Sequence, residues 1–580
     1  MKRQETTTIE GLGQSKAFLK KAYNAALIPC MLSILSGCVN IIADGVIVGQ
    51  KIGTNGLTAI NLCVPVYLVL CILGSFFVSG TAIRASNAIG EDDTAAAQWY
   101  YGIALSTCMI SSVVMTLVGI FLSDAIAGLL CSDGEVFAMV RDYTRITLIG
   151  ALPKILIYIP FWFLRLDGKH KTVTVMMAVM GIGNVLLDLL FLFVLDMGVY
   201  GAALASVIAT ALACELGMVQ LHNGKTTFRF KIVLPKKEEF KRIASVGSPA
   251  ALNNLMQTIR LLCVNGILMS YGGNEAVALF TVVNGISAFA EAVTVGVPQA
   301  ASAILGVYQG EHDNRSTQIM LRLELTSGLT YCAIFGVIIS AGAGLIGSAY
   351  GLDVPIYFPM ICLAVSLFPA LCNGILSGFY NVSRRAGLSN LIIFCRVFLF
   401  SVAALLVLAV TGAPVWFFLP IGELLTLLTA LAVSGVICRR NKDLSPVFLM
   451  DTSLDRSDNI INFSVIGDNQ EICGACEKVT DFCENNGMPV KQTMRISLAM
   501  EELMTLLSMK NAPKQIHFDI RMFSYQGTIG IRIRYDGVDL NPLSGKEDTD
   551  EYMGIAMIKK LVRSVLYKRI LGLNSLLVVI

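Results

Sequence analysis

Asn184 and Asp188 stand four residues apart inside a long apolar run, MGIGNVLLDLLFLFVLDMGVYGAALASVIAT, from Met180 to Thr210. On a helix this spacing puts an amide and a carboxylate on one face, one turn from each other. A carboxylate among leucines costs about 2.5–3.5 kcal/mol on membrane-insertion scales. It must therefore be paired, protonated or bound to a cation, and it must face protein or water rather than lipid.

The elements that hold such a pair have to be membrane helices. The chain has 580 residues, 55% hydrophobic and only 15% charged, which excludes an ordinary soluble two-domain enzyme. With 44 Lys and Arg against 41 Asp and Glu, the net charge of +3 makes no case for nucleic-acid binding. The 16 cysteines lie mostly in apolar segments and read as small buried hydrophobes without a disulfide framework. Cys473 and Cys476 form a Cys-x-x-Cys, but no second pair or histidines stand at ligand spacing, so zinc is not expected. The polar start, with Lys2, Arg3, Lys16, Lys20 and Lys21, runs into a segment long enough to span, which argues against a cleaved signal peptide.

Apolar segments of about 20 residues, the length a bilayer requires, fall at 22–48, 57–86, 100–123, 143–164, 172–194, 200–221, 248–271, 276–306, 320–344, 356–380, 388–410 and 415–437. The sequence thus predicts an all-α membrane protein of twelve spans. The connections alternate in charge. Arg165, Lys169 and Lys171, seven Lys or Arg from His222 to Arg242, Arg384 with Arg385, and Arg439, Arg440 and Lys442 lie on one side. The opposite set is nearly bare: Lys51 lies between the first two spans, and the connections around 195–199, 272–275, 345–355 and 411–414 have no Lys or Arg. The positive-inside rule then places both termini in the cytoplasm of a cell (inner) membrane protein.

An internal repeat supports the count. Gly90, Glu91, Asp93 and Gln98 recur as Gly310, Glu311, Asp313 and Gln318, each 220 residues on, and Asp44-Gly45 answers to Asn265-Gly266. Six helices begin and end on the same side, so the duplicate keeps its orientation: two parallel lobes about an axis along the membrane normal, with a cavity between them. The domains read as a segment 1–21, an amino-terminal lobe 22–221, a basic loop 222–247, a carboxy-terminal lobe 248–440, a linker 441–458 and an appended domain 459–580. Strand patterns at 460–466, 515–521, 527–534, 566–570 and 575–580, with helices at 470–485, 490–509 and 554–565, make the last a small cytoplasmic α+β sandwich.

The stretches IIADGVIVGQKIGTNGLTAINLCVP, GTAIRASNAIGEDD, FLRLDGKHK and GNVLLDLLFLFVLDMGVYGAALAS, in this order, make residues 18–440 resemble the MATE (multidrug and toxic compound extrusion) family, in its DinF-like group. The resemblance implies an amino-lobe site for the coupling cation or proton at Asp44, Asn184, Asp188 and Ser206, where Ser stands for the usual Thr. It also implies a bend of the first helix at Pro29. Two carboxylates with amide and hydroxyl oxygens suit Na⁺ at Asp44, Asn184 and Asp188, and two close acids equally suit proton exchange. The bland alternative is that both acids only bridge helices through hydrogen bonds.

Other charges lie within the spans. Arg84 and Glu215 stand near helix ends, where snorkelling or surface pairing accounts for them. Arg260, Glu291, Arg396 and Glu423 lie deeper, as cavity lining or as opposite-charge pairs among themselves, with Glu291 near Pro298 the leading cavity candidate.

The appended domain resembles the histidine-kinase-type ATPase fold of anti-sigma-factor kinases through LAMEELMTLLSMKN, IRYDGVDLNPL and MGIAMIKKLVRSVLYKRILGLNSLLVVI. Its nucleotide site reads as degenerate. Glu502 keeps the glutamate, but Leu506 stands where the Mg²⁺-binding Asn belongs. Tyr535 stands two before Gly537 where the adenine-reading Asp belongs, and Asp536 is one residue out of phase; Gly554 opens the last motif. ATP binding is therefore doubtful, and the domain is expected to regulate or to bind a cytoplasmic protein.

The expectation is a secondary transporter, not an enzyme: an H⁺- or Na⁺-coupled antiporter in the lipid membrane that exports organic, cationic or drug-like molecules and requires no cofactor. Two rivals are a lipid or lipid-linked oligosaccharide flippase of the same superfamily and a membrane-tethered sensor or kinase. Nucleotide binding by the appended domain would favour the latter.

Overall fold

The computed structural model describes residues 2–131, 134–223, 228–349, 356–452, 460–525, 528–541, 564–570 and 573–579, with backbone alone for 2–18. The first lobe comprises α1 (Lys2–Ile52), α2 (Thr54–Gly90), α3 (Thr94–Phe121), α4 (Ser123–Leu130), α5 (Gly134–Ile149), α6 (Ala151–Leu156), α7 (Tyr158–Leu166), α8 (His170–Asp188) and α9 (Gly198–His222). The second comprises α10 (Lys237–Thr294), α11 (Gly296–Gly310), α12 (Asn314–Ala349), α13 (Tyr357–Val382), α14 (Ala386–Ile393), α15 (Phe400–Thr411) and α16 (Phe418–Arg440).

Among the described residues, ten helices are long and apolar enough to cross a membrane, or eleven if the pair Val136–Ile149 and Ala151–Leu166, bent by 59°, is one span. The expected segment 248–271 is helical, as the first part of α10 before a kink at Gly273 (φ 64°). It misses the apolar criterion because Asn253, Asn254, Gln257 and Arg260 turn it toward a cavity. With it, the two-lobe arrangement of the repeat is present.

Helix α1 belongs to both lobes. Leu19, Tyr23, Ala26, Leu27 and Cys30 are buried in the core of the second lobe, and Tyr23 Oη lies 3.0 Å from Ser327 Oγ. Farther along, Ile47 and Val48 pack with Leu192 and Ala202 of the first lobe. Pro29 sits near the end of the first portion, beside Cys30, in a helix that runs through it. The missing N–H of a proline weakens the helix there and makes it the natural place to bend.

The fifth span of each lobe leaves regular α-helix beside a charged residue. A π segment, Leu189–Val194, follows Asp188 directly, and another, Phe394–Leu399, contains Arg396. Insertions of this kind free backbone groups and commonly sit at functional sites.

The lobes meet at the end from which α3 and α12 start. A Cβ on Gly90 would lie 2.8 Å from the Gly310 Cα, so only glycine permits this approach. Asn87 Nδ2 donates to the Val382 carbonyl at 3.3 Å, and Arg384 is salt-bridged to Glu91. At the other end Lys51 pairs with Asp196 at 2.9 Å.

The carboxy-terminal domain is a five-stranded antiparallel sheet, β1 (Ile460–Ile466), β2 (His517–Tyr525), β3 (Thr528–Tyr535), β4 (Ser564–Ile570) and β5 (Leu573–Val579), in the order β1-β2-β3-β5-β4. Helices α17 (Asn469–Asn485) and α18 (Val490–Asn511) cover one face, burying Phe463, Ile520, Ile531 and Ile533 against Val479 and Leu503. Each such side chain contributes about 1.5–3 kcal/mol of burial. The alternation of FDIRM and IRIRY sends Asp519, Arg521, Arg532 and Arg534 to the other face. That face is buried too, with each of the four at most 7% exposed, because it lies on the membrane lobes. Most of the expected helix at 554–565 lies outside the described residues, and its last two residues are strand.

Candidate ion site and central cavity

The first lobe brings Asp44, Asn184 and Asp188 together. The carboxyls of Asp44 and Asp188 lie close enough to act on each other directly, and Asn184 Nδ2 donates to Asp188 Oδ2 at 2.7 Å. Asp188 is fully buried and Asn184 nearly so. Two carboxyls this close require a proton or a cation between them. Tyr143 of α5 stands close enough to feel both charges.

Ser206 of α9 faces a partner that the sequence reading missed. Lys154, 7% exposed, donates from Nζ to Ser206 Oγ at 3.1 Å, acts electrostatically on Asp44, and lies 5.4 Å from the centre of the Tyr67 ring. Gly150 permits this. A Cβ there would come 2.6 Å from Val207 Cγ1, so the bend between α5 and α6 can press Lys154 onto α9. The available signal was a lysine directly after Pro153 in an apolar segment.

The oxygens of Asp44, Asp188 and Asn184 are hard ligands, but the Ser206 hydroxyl already accepts from an ammonium group whose charge opposes a second cation. Among the described residues no cluster of three or more His, Cys, Asp or Glu offers a metal site.

Lys154 lines a pocket of about 220 Å³ with Tyr67, Cys71, Tyr158 and Met180. Tyr158 also lines a cavity of about 360 Å³ between the lobes, faced by Trp162, Asn253, Asn254, Asn373 and Arg396. The acid pair is thus linked through Lys154 and Tyr158 to the space between the lobes.

Arg260, Glu291, Arg396 and Glu423 all line an adjoining pocket of about 230 Å³ that shares Asn253, Asn254 and Arg396 with the central cavity. Two of them also pair with each other: Arg396 Nε donates to Glu423 at 2.8 and 3.0 Å, and Asn373 Nδ2 donates to the same carboxylate at 2.9 Å. Arg260 reaches Asn284 Oδ1 at 3.5 Å. Arg84 donates to Tyr100 Oη at 3.0 Å.

In the appended domain, Leu506 and Tyr535 are buried in its apolar core. Asp536 accepts from the His517 backbone N–H at 2.7 Å and is salt-bridged to Lys21 of α1, which together hold its carboxyl below the usual range despite burial. Gly537 packs on Asn511, whose Oδ1 accepts from the Val538 N–H at 2.9 Å. Glu502 lies on α18. Gly554 lies outside the described residues.

Residues 29–212 match the family model MatE. The multidrug export protein MepA of Staphylococcus aureus (strain NCTC 8325 / PS 47) is 23% identical over 364 residues, 62% of this chain and 79% of that protein. MepA of Staphylococcus haemolyticus (strain JCSC1435) is 24% identical over 365 residues, with the same coverage. Among solved structures, a MATE in complex with MaL6 superposes with a TM-score of 0.69 at 20% identity, covering 74% of this chain and 99% of that one. An outward-facing multidrug resistance MATE family transporter of the MOP superfamily gives 0.67 at 21% identity, covering 74% and 98%. These homologues are transporters, not enzymes. Residues 29–212 of this chain thus match the MatE family model, and its membrane part has the fold of the solved MATE structures.

Proposed function

We propose that the chain is a proton-coupled antiporter that exports organic, cationic or drug-like molecules across the cell membrane, with both termini and the appended domain in the cytoplasm. The closeness of the Asp44 and Asp188 carboxyls carries this reading. A proton entering from outside neutralises the pair and weakens the attraction between Asp44 and Lys154. Lys154 then moves its charge relative to Ser206 and the pocket that leads to Tyr158. Helix α1, anchored in both lobes and weakened at Pro29, passes the change to the lobe interface, where substrate leaves.

The central cavity suits an amphipathic organic molecule: Tyr158, Phe161 and Trp162 stand in its wall with Arg396, and Glu291 and Glu423 share the adjoining pocket with Arg260 and Arg396. The appended domain is read as regulatory, with Asp536 engaged by Lys21 rather than open to adenine.

The test is efflux of a cationic dye from proteoliposomes with a proton or a sodium gradient imposed separately. Export driven by the proton gradient alone, and lost in Asp188→Asn, is expected. Export that follows sodium, or that keeps its proton dependence in Asp44→Asn and Asp188→Asn, overturns the reading.

A further inference from the structure

The two turns that the repeat makes equivalent, Gly90-Glu91-Asp92-Asp93 and Gly310-Glu311-His312-Asp313, have the same backbone. Asp92 (φ 63°) and His312 (φ 52°) take the left-handed conformation at matching positions. Asp93 Oδ1 accepts from the Ala96 N–H at 2.8 Å, as Asp313 Oδ1 does from the Ser316 N–H at 3.1 Å. One turn belongs to each lobe, and they face each other where Gly90 meets Gly310.

Both turns are held by the charged face of the appended sheet. Arg532 is salt-bridged at once to Asp92 of the first lobe and Glu311 of the second. Lys568 binds Asp92 and the Ile89 carbonyl. On the second lobe the grip is denser: Arg534 reaches Glu311, and Asp313 at 3.1 Å, while Arg521 reaches Asp313 at 3.2 Å and donates to the His312 carbonyl at 3.0 Å. Asn314 and Arg315 of α12 add bonds to the carbonyls of Asp451 and Asn462. The side chains of Glu311 and Asp313 are 2% exposed, whereas that of Asp92 is 19% exposed. The first-lobe attachment is the wetter and has fewer bonds.

Parting the lobes at this end must break one attachment, and the weaker one lies at Asp92. We propose that the carboxy-terminal domain is a latch seated on the second lobe, that it keeps the cytoplasmic end shut by gripping Asp92 through Arg532 and Lys568, and that releasing Asp92 is a step of every transport cycle. The inference rests on the antiporter reading for its orientation and its cycle, but not for the grip itself.

Cys30 is a built-in reporter. It is 1% exposed and lines a small space between the lobes with Trp162, Arg165 and Gln299. In the purified full chain, with neither substrate nor gradient, its modification by a membrane-impermeant maleimide is followed by mass spectrometry. Asp92→Asn and Lys568→Gln should each speed labelling about ten-fold, the factor that about 1.4 kcal/mol of lost closure produces. The double variant should add little, since both remove one contact. Unchanged labelling in both single variants overturns the latch and leaves the ion site untouched.

A second arm locks the contact. Asp92→Cys with Lys568→Cys, joined by a reducible bis-methanethiosulfonate cross-linker of about lysine length and identified by mass spectrometry, should abolish dye export until reduced. Export at the reduced rate while cross-linked would equally overturn the proposal. If both forms transport with no proton dependence, the antiporter reading fails while labelling still reports on the latch.

Discussion

Gly90 and Gly310 occupy equivalent places in the two halves of the repeat and touch across the lobe interface, with a Cβ on either lying 2.8 Å from the other's Cα. The lobes can close at this end only while both positions lack a side chain, and the same turns supply the acids that the appended sheet holds.

Replacing Gly90 with leucine should therefore prop this end open. Overpacking a close contact costs about 1–3 kcal/mol. Faster Cys30 labelling with the sheet contacts otherwise intact is the expected outcome. Labelling at the parent rate would show that the glycine contact is not needed for closure.

Lys154→Met removes the cation that joins Ser206 to the acid pair while keeping the length of the side chain. Without its charge Ser206 and the acid pair are no longer joined, so proton-driven export should slow and its pH profile should change. An unchanged pH profile of dye efflux in proteoliposomes would remove Lys154 from the mechanism.

Arg396 and Glu423 pair in the second lobe beside the cavity. Single substitutions Arg396→Met and Glu423→Gln should each lower thermal stability. A double-mutant cycle should return a coupling of about 0.5–3 kcal/mol, the range for groups in one network. A coupling near zero would mean that the pair is solvated independently and serves substrate rather than packing.

The sheet attachment should not respond to pH near neutrality. Burial alone would raise the carboxyls of Glu311 and Asp313, yet Arg532 and Arg534 hold Glu311, and Arg534 and Arg521 hold Asp313, below their ordinary values of 4.5 and 3.8. Depressed acids contribute stability that is fully present above those ordinary values and is lost as pH falls through the lowered ones. Cys30 labelling, divided at each pH by that of the denatured chain to remove the pH dependence of the thiolate, should thus be flat from about pH 6 to 8. A rise within the neutral range would place a different titrating group at the contact.

Asp188 was legible in the sequence because a carboxylate inside an apolar run is conspicuous, whereas Asp44 entered as its partner through the family resemblance; the duplicated GEDD and GEHD turns announced two lobes. The seventh span was legible as a helix, but Asn253, Asn254, Gln257 and Arg260 dilute its hydropathy because they face a cavity. Lys154 escaped notice because its importance comes from the bend at Gly150, which a linear reading does not foresee. The IRIRY alternation correctly signalled a strand, yet its charged face reads as solvated in any local window. Only the tertiary contact between Asp92 and Arg532, 440 residues apart, turns that face into an interface.

The most direct measurement is of protons released when a cationic dye binds the purified protein in weakly buffered detergent. If Asp44 and Asp188 carry the coupling proton, dye binding should release protons from the parent protein and none from Asp188→Asn. Equal release from the parent, Asp44→Asn and Asp188→Asn proteins would contradict the account.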